Sequence, residues 1–131
     1  MHFEHVSRRW GSREGGNMST TPGRAFLDRR IDFIVSGQFD AMVDDGYNDD
    51  AVLVSFDGQV KGKDALRAHF GRHLGALGTI QLKSVDKFAE IDDAIFVEVT
   101  VITAAYGEVT SYEGFVLRDG KADYHFTLVK Q

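Results

Sequence analysis

The chain has no cysteine among its 131 residues. Disulfides, thiolate metal sites and thiol nucleophiles are therefore excluded. The lack of disulfides fits a reducing compartment. No apolar run approaches the ~20 residues of a membrane span, and the opening residues hold no apolar core of the kind a signal peptide needs. These absences point to a cytoplasmic protein with no membrane partner. Basic charge is not in excess either: 15 Lys and Arg face 20 Asp and Glu, a net charge of −5. That balance argues against the phosphate backbone of nucleic acid as a main partner. Only one proline interrupts regular structure, while ten phenylalanines supply a bulky apolar interior. A chain of this length suits one domain that needs no metal or disulfide staple.

The first stretch, MHFEHVSRRWGSREGGN, differs from the rest in having no sustained period. Residues 1–20 are expected to form a flexible leader outside the fold, with residues 21–131 as a single domain. An alternative is a basic arm that docks on a partner through Arg8, Arg9 and Arg13.

Thr21-Pro22 suits a helix start, since threonine caps and proline is favoured at the first helical position. Leu27, Ile31, Ile34 and Val35 then recur at helical spacing, and Gly37 stops the helix. Phe39, Met42 and Val43 make a short second helix ending near Gly46, and DDGYNDD reads as a polar loop. AVLVSF (51–56) reads as a strand, and DGQVKGK (57–63) as a turn with a short returning strand. A third helix is expected from about Lys63 to Leu77, with an apolar stripe of Leu66, Phe70, Leu74 and Leu77. Four long runs follow: Ile80–Ile91, Ile95–Ala105, Val109–Arg118 and Ala122–Val129. Short hairpin connections at Asp92-Asp93, Tyr106-Gly107-Glu108 and Asp119-Gly120 join them. The pattern is α+β, with helices on one face of an antiparallel sheet.

Strand alternation sorts the side chains into two faces. Ile95, Val97, Val99, Val101 and Thr103 share one face of their strand, and Phe96, Glu98, Thr100 and Ile102 the other. Glu113 and Phe115 fall opposite Tyr112, Gly114 and Val116. His125 and Thr127 fall opposite Tyr124, Phe126 and Leu128. Both faces are substantially apolar, so one should pack on the helices and the other on a second subunit. A homodimer built sheet against sheet is the expectation.

The words SGQFDAM (36–42), NDDAVLVSFDGQVKGKDALRAHF (48–70) and FVLRDGKADYHF (115–126), in this order of elements, resemble the nuclear transport factor 2-like superfamily. That group includes SnoaL-like cyclases and ketosteroid isomerases. The resemblance spans residues 24–131. It implies a cone-shaped, cystatin-like α+β fold with three N-terminal helices closing over a curved antiparallel sheet, and a small-molecule pocket between them. The fold hosts enzymes, binding modules and assembly domains alike, so it does not choose a function. The isomerases' general-base aspartate falls on Ser55, their helix-one tyrosine on Arg30, and their second oxyanion-hole acid on Glu113. Only Glu113 matches in type, which argues against steroid-ketone isomerisation by that machinery.

A different constellation is available. On the third helix His73 is expected near the centre of the apolar stripe, with His69 on its flank. The strand parity that turns Glu113 inward agrees with relatives whose His125 position lines the pocket. Glu113, His125 and His73 are thus the candidate catalytic residues. A carboxylate beside a histidine fixes its tautomer and suits acid–base work near neutral pH. Arg30, Ser55, Phe56, His69, Phe70, Val97, Val99, Phe115 and Thr127 are the expected pocket lining. Alternatively, such histidines are satisfied core residues, and Phe33, Phe56, Phe70, Phe88 and Phe115 simply fill the core. His69 and His73 have the i, i+4 spacing of a helical metal pair, but no HExxH word is present and no metal or cofactor is expected. Asp44, Asp45, Asp49 and Asp50 lack EF-hand spacing and read as a solvated loop.

The expected function is binding of a small apolar or aromatic ligand, with metal-free isomerisation, dehydration or cyclisation as the chemistry. A non-catalytic ligand-binding or assembly domain is the competing reading.

Overall fold

A computed structural model describes residues 20–130. The proposed leader lies outside these residues but for Thr20. Helix α1 spans Pro22–Val35 and α2 spans Phe39–Gly46. Strands β1 (Tyr47–Ser55) and β2 (Gly58–Lys61) form a hairpin, and α3 (Lys63–Gly75) follows it. Strands β3 (Ile80–Ile91), β4 (Ala94–Thr103), β5 (Gly107–Arg118) and β6 (Lys121–Lys130) complete the described residues.

The six strands form one sheet in the order β2-β1-β6-β5-β4-β3. Two expectations need correction. The third helix comes after the β1–β2 hairpin and is not N-terminal to the sheet. The sheet is mixed: β1 runs parallel to β6, while every other pair is antiparallel. The parallel pairing follows from connectivity. The chain leaves β1 through β2 and α3, builds the meander from the far edge, and returns with β6 beside β1. A crossover that long carries no hairpin constraint on direction.

The helices start where the sequence signals them. Thr21 Oγ1 accepts from the Arg24 amide at 3.2 Å, and Pro22 occupies the first turn. Glu90 adds a cap from the sheet: Oε2 accepts from the Gly23 amide at 3.0 Å and Oε1 from the Thr21 hydroxyl at 2.5 Å. Gly23 is required there, since a Cβ would lie 2.3 Å from Ile95 Cγ2. Asp119 and Gly120 both have positive φ, 58° and 79°, as a two-residue turn between right-twisted strands requires.

DDGYNDD is not a loop. Asp44–Gly46 end α2, and Tyr47–Asp50 open β1. Tyr47 is fully buried in the core with Phe26, Leu27, Met42, Val43, Leu66 and Phe115. The five acidic and amide neighbours hid one inward-facing aromatic at a helix-to-strand junction. α3 also ends earlier than expected, at Gly75, so Leu77 lies beyond it.

The parity of the long strands holds. Glu113 pairs across with Val97 on β4 and Thr127 on β6, and Phe115 pairs with His125. The one irregularity of the β5–β6 pair falls at Val116/Leu117, beyond Glu113. Glu113 and His125 are therefore diagonal neighbours on the face that meets the helices.

Candidate active site

The helices and the inner sheet face enclose a cavity of about 670 Å3. That volume is in the range of small-molecule sites. Its sheet wall includes Val97, Val99, Glu113, Phe115, His125 and Thr127. Arg30 contributes from α1, and His69, Phe70 and His73 from α3. The phenylalanines do not plug it. Phe70 and Phe115 form its walls, and Phe88 is buried in the core.

A buried chain of polar contacts crosses its floor. Arg30 Nη1 donates to the Tyr47 hydroxyl at 2.8 Å. That hydroxyl meets His125 Nδ1 at 2.8 Å. His125 Nε2 is hydrogen-bonded to Glu113 Oε1, and Thr127 Oγ1 donates to Glu113 Oε2 at 3.1 Å. The network assigns the protons. An ionised carboxylate only accepts, so Nε2 of His125 carries the hydrogen. Nδ1 of the neutral ring then accepts, and Tyr47 is its donor.

Electrostatics agree with that assignment. Burial pushes the His125 ring down to about 4; Glu113 opposes the shift, and Arg30 and His69 add to it. Burial pushes the Glu113 carboxyl up, but His125, Arg30 and the Thr127 hydroxyl outweigh it and hold it below the usual carboxylate range. Burial drives Tyr47 up to about 12 against the nearby Arg30 charge, which keeps it a phenol. The resting site is thus a neutral histidine wedged between a phenol and a carboxylate. Its ring stacks with Phe115, with centroids 4.2 Å apart, and with Phe70, at 6.2 Å.

His125 is 1% exposed and both of its nitrogens are engaged within the protein. Both side chains line the cavity, and Glu113, with 13% of its side chain exposed, is the more open of the pair.

The α3 histidines differ from expectation. Leu66 and Phe70 are the buried residues of α3, whereas His73 is exposed and His69 only half-buried. Both border the cavity. Their rings stack at 4.1 Å, and His73 Nδ1 donates to the His69 carbonyl at 2.9 Å. Burial, then His73 and Arg72, lower the His69 pKa. The helix turns His73 toward the mouth because the larger Phe70 takes the inward position. Among the described residues, no group of three His, Asp or Glu side chains could hold a metal ion.

Ser55 lines the cavity at the end of β1, where its Oγ accepts from the Asp57 amide at 3.2 Å. Phe56, expected inside, stands at the mouth and is 92% exposed, because it lies in the turn beyond β1. Arg30, expected at the pocket wall, is there and nine-tenths buried. Tyr47 is the site residue that sequence reasoning missed. The signal available was an aromatic directly after the glycine ending a helix, within an otherwise polar stretch.

No protein-family model matches the sequence, and no curated protein does. Solved structures match closely in shape. An NTF2-like protein from Anabaena variabilis superposes with a TM-score of 0.73 at 15% identity, over 88% of this chain and 96% of that one. The fold is nuclear transport factor 2-like. TerC co-crystallised with polyporic acid has this architecture, with a TM-score of 0.70 at 16% identity over 84% of this chain and 92% of that one. So does a ketosteroid isomerase-like fold protein from Catenulispora acidiphila in complex with trimethylamine, at 0.69 and 13% identity over 83% and 86%. Among the described residues, the NTF2-like fold is a three-helix, six-stranded α+β arrangement. Among the described residues, no helix is long and apolar enough to cross a membrane.

Proposed function

We propose that the chain binds a small apolar or aromatic molecule between helices and sheet, and that Glu113 is the base for metal-free proton transfer on it. Isomerisation, dehydration and cyclisation are the reactions that a carboxylate base in such a cavity can serve. The observation that carries this reading is a carboxylate on the floor of a largely apolar cavity, held by donors on both oxygens. Two proteins of similar shape carry small molecules in their crystals, which supports a ligand-binding role.

In this reading Glu113 touches the ligand. His125 is a positioning residue, because neither nitrogen is free to reach a substrate. His73 stands at the mouth, where its role is to flank the ligand. No cofactor is required. The second reading is ligand binding without turnover, favoured by the fact that both Glu113 oxygens already accept hydrogen bonds.

A thermal-shift screen over polycyclic aromatics, steroids and terpenoids identifies ligands. Each one bound is then incubated with the protein in D2O. Solvent deuterium should enter a ligand C–H position with the wild type and not with Glu113→Gln. Binding without exchange supports the second reading. No binding from any of the three classes overturns both.

We propose further that a second copy covers the outer sheet face. Phe96, Tyr124, Phe126 and Leu128 are each 43–54% exposed there, an apolar surface that favours burial.

A further inference from the structure

Arg30 is a cation at 8% exposure, on the buried side of α1. Among the described residues it forms no ion pair with any carboxylate. Its one hydrogen bond there runs from Nη1 to the Tyr47 hydroxyl. Around it are ring faces: its guanidinium carbon lies 5.0 Å from the centre of Phe115, 5.4 Å from Phe70 and 5.8 Å from Tyr47. Ring faces attract a cation but accept no strong hydrogen bond. A guanidinium donates from Nε, Nη1 and Nη2 in a planar fork. The donors on Nε and Nη2 have no protein acceptor among the described residues. The side chain lines the cavity.

A buried charge ordinarily has an ionic partner in hydrogen-bond contact. Glu113 does not fill that role. Its oxygens are taken by His125 and Thr127, at the other end of the Arg30–Tyr47–His125–Glu113 chain. A ligand entering without an acceptor would strip solvent from the remaining Arg30 donors and leave them unpaired, at a cost in affinity. A ligand bearing a planar anion would pair with the fork through two parallel bonds.

We propose that Arg30 is a carboxylate-binding residue, and that the cavity takes small molecules in which a carboxylate is joined to an apolar ring system. This inference rests on the cavity being a ligand site, as proposed above. The carboxylate seats on Nε and Nη2 of Arg30. The hydrocarbon extends along Val97 and Val99 toward the mouth. Tyr47 and His125 stand between the bound anion and Glu113, so the two negative groups sit at opposite ends of one polar chain.

Calorimetry with 2-naphthoate and 2-naphthamide near neutral pH tests this, because the two share ring, size and shape. The wild type should bind the naphthoate about tenfold or more tighter. Arg30→Gln should bring the two probes to parity. Arg30→Lys, which keeps the charge and loses the fork, should retain only part of the preference. If Arg30→Gln does not fold, the lysine variant carries the test. Equal affinities in the wild type, or a preference unchanged in the folded Arg30 variants, overturn the carboxylate assignment and leave the cavity reading standing. If neither probe binds, the carboxylate assignment falls, while the steroid and terpenoid arms of the screen still decide the cavity reading.

Discussion

The Tyr47 hydroxyl donates to Nδ1 of His125 across 2.8 Å, with both side chains almost wholly buried. The same oxygen accepts from Arg30, so one phenol connects the α1 cation to the sheet histidine. It therefore sets the histidine tautomer and, through Nε2, holds the Glu113 carboxylate in place.

Tyr47→Phe should cost about 1–3 kcal/mol of stability, because it leaves a buried histidine nitrogen and an arginine donor without partners. It should also release the His125 tautomer, read as a change in the ring 15N shifts. Denaturant unfolding checks the first effect. An unchanged midpoint with unchanged ring shifts would mean the phenol contributes nothing but its ring.

Stability should rise with pH between about 4 and 6.5. Burial lowers His125 from its ordinary 6.5 to about 4. In that interval the unfolded chain takes up a proton that the folded chain refuses. The stabilisation is complete above 6.5 and is lost as pH falls toward 4. His69, lowered chiefly by burial, acts in the same direction. Glu113 adds a loss at more acid pH, since its pKa lies below the ordinary 4.5. An NMR titration reads the decisive group directly. A His125 ring that protonates near 6.5 would contradict the buried neutral assignment.

Gly23→Ala should destabilise by about 1–3 kcal/mol, as overpacking does. The added methyl would lie 2.3 Å from Ile95 and 2.7 Å from the Glu90 carboxyl carbon, displacing the cap that Glu90 places on α1. Gly71→Ala is the control, since no atom lies within 4 Å of its added Cβ. Equal melting temperatures for the two variants would refute the packing argument.

Phe126→Asp places a charge at the centre of the outer sheet face, where Phe126 is 47% exposed and stacks beside Tyr124. Sedimentation should show a wild-type dimer and a monomeric or aggregating variant. A wild-type chain that sediments as a monomer at micromolar concentration removes the proposal of a second copy.

The long strands were legible because their period is two: alternation grouped Val97 with Val99, Glu113 with Phe115 and His125 with Thr127 within each strand, and the family resemblance turned those groups toward the pocket. Turn chemistry placed their ends, and Thr21-Pro22 and Gly37 bounded α1, since caps and positive-φ glycines are local properties. What local rules could not supply was anything set by contacts distant in sequence. The parallel β1–β6 pairing joins strands about 70 residues apart, and no hairpin signal marks it. Tyr47 looked like a loop residue because its neighbours are polar, and only docking β1 beside β6 turned its hydroxyl to His125. His73 sat on the stripe of an idealised helix, yet Phe70 took the inward space and left it at the mouth. The family resemblance put Arg30 on the pocket wall, but its burial among three aromatic rings is a property of the packed core alone. Periodicity decides which way a side chain points, while packing decides what it meets there.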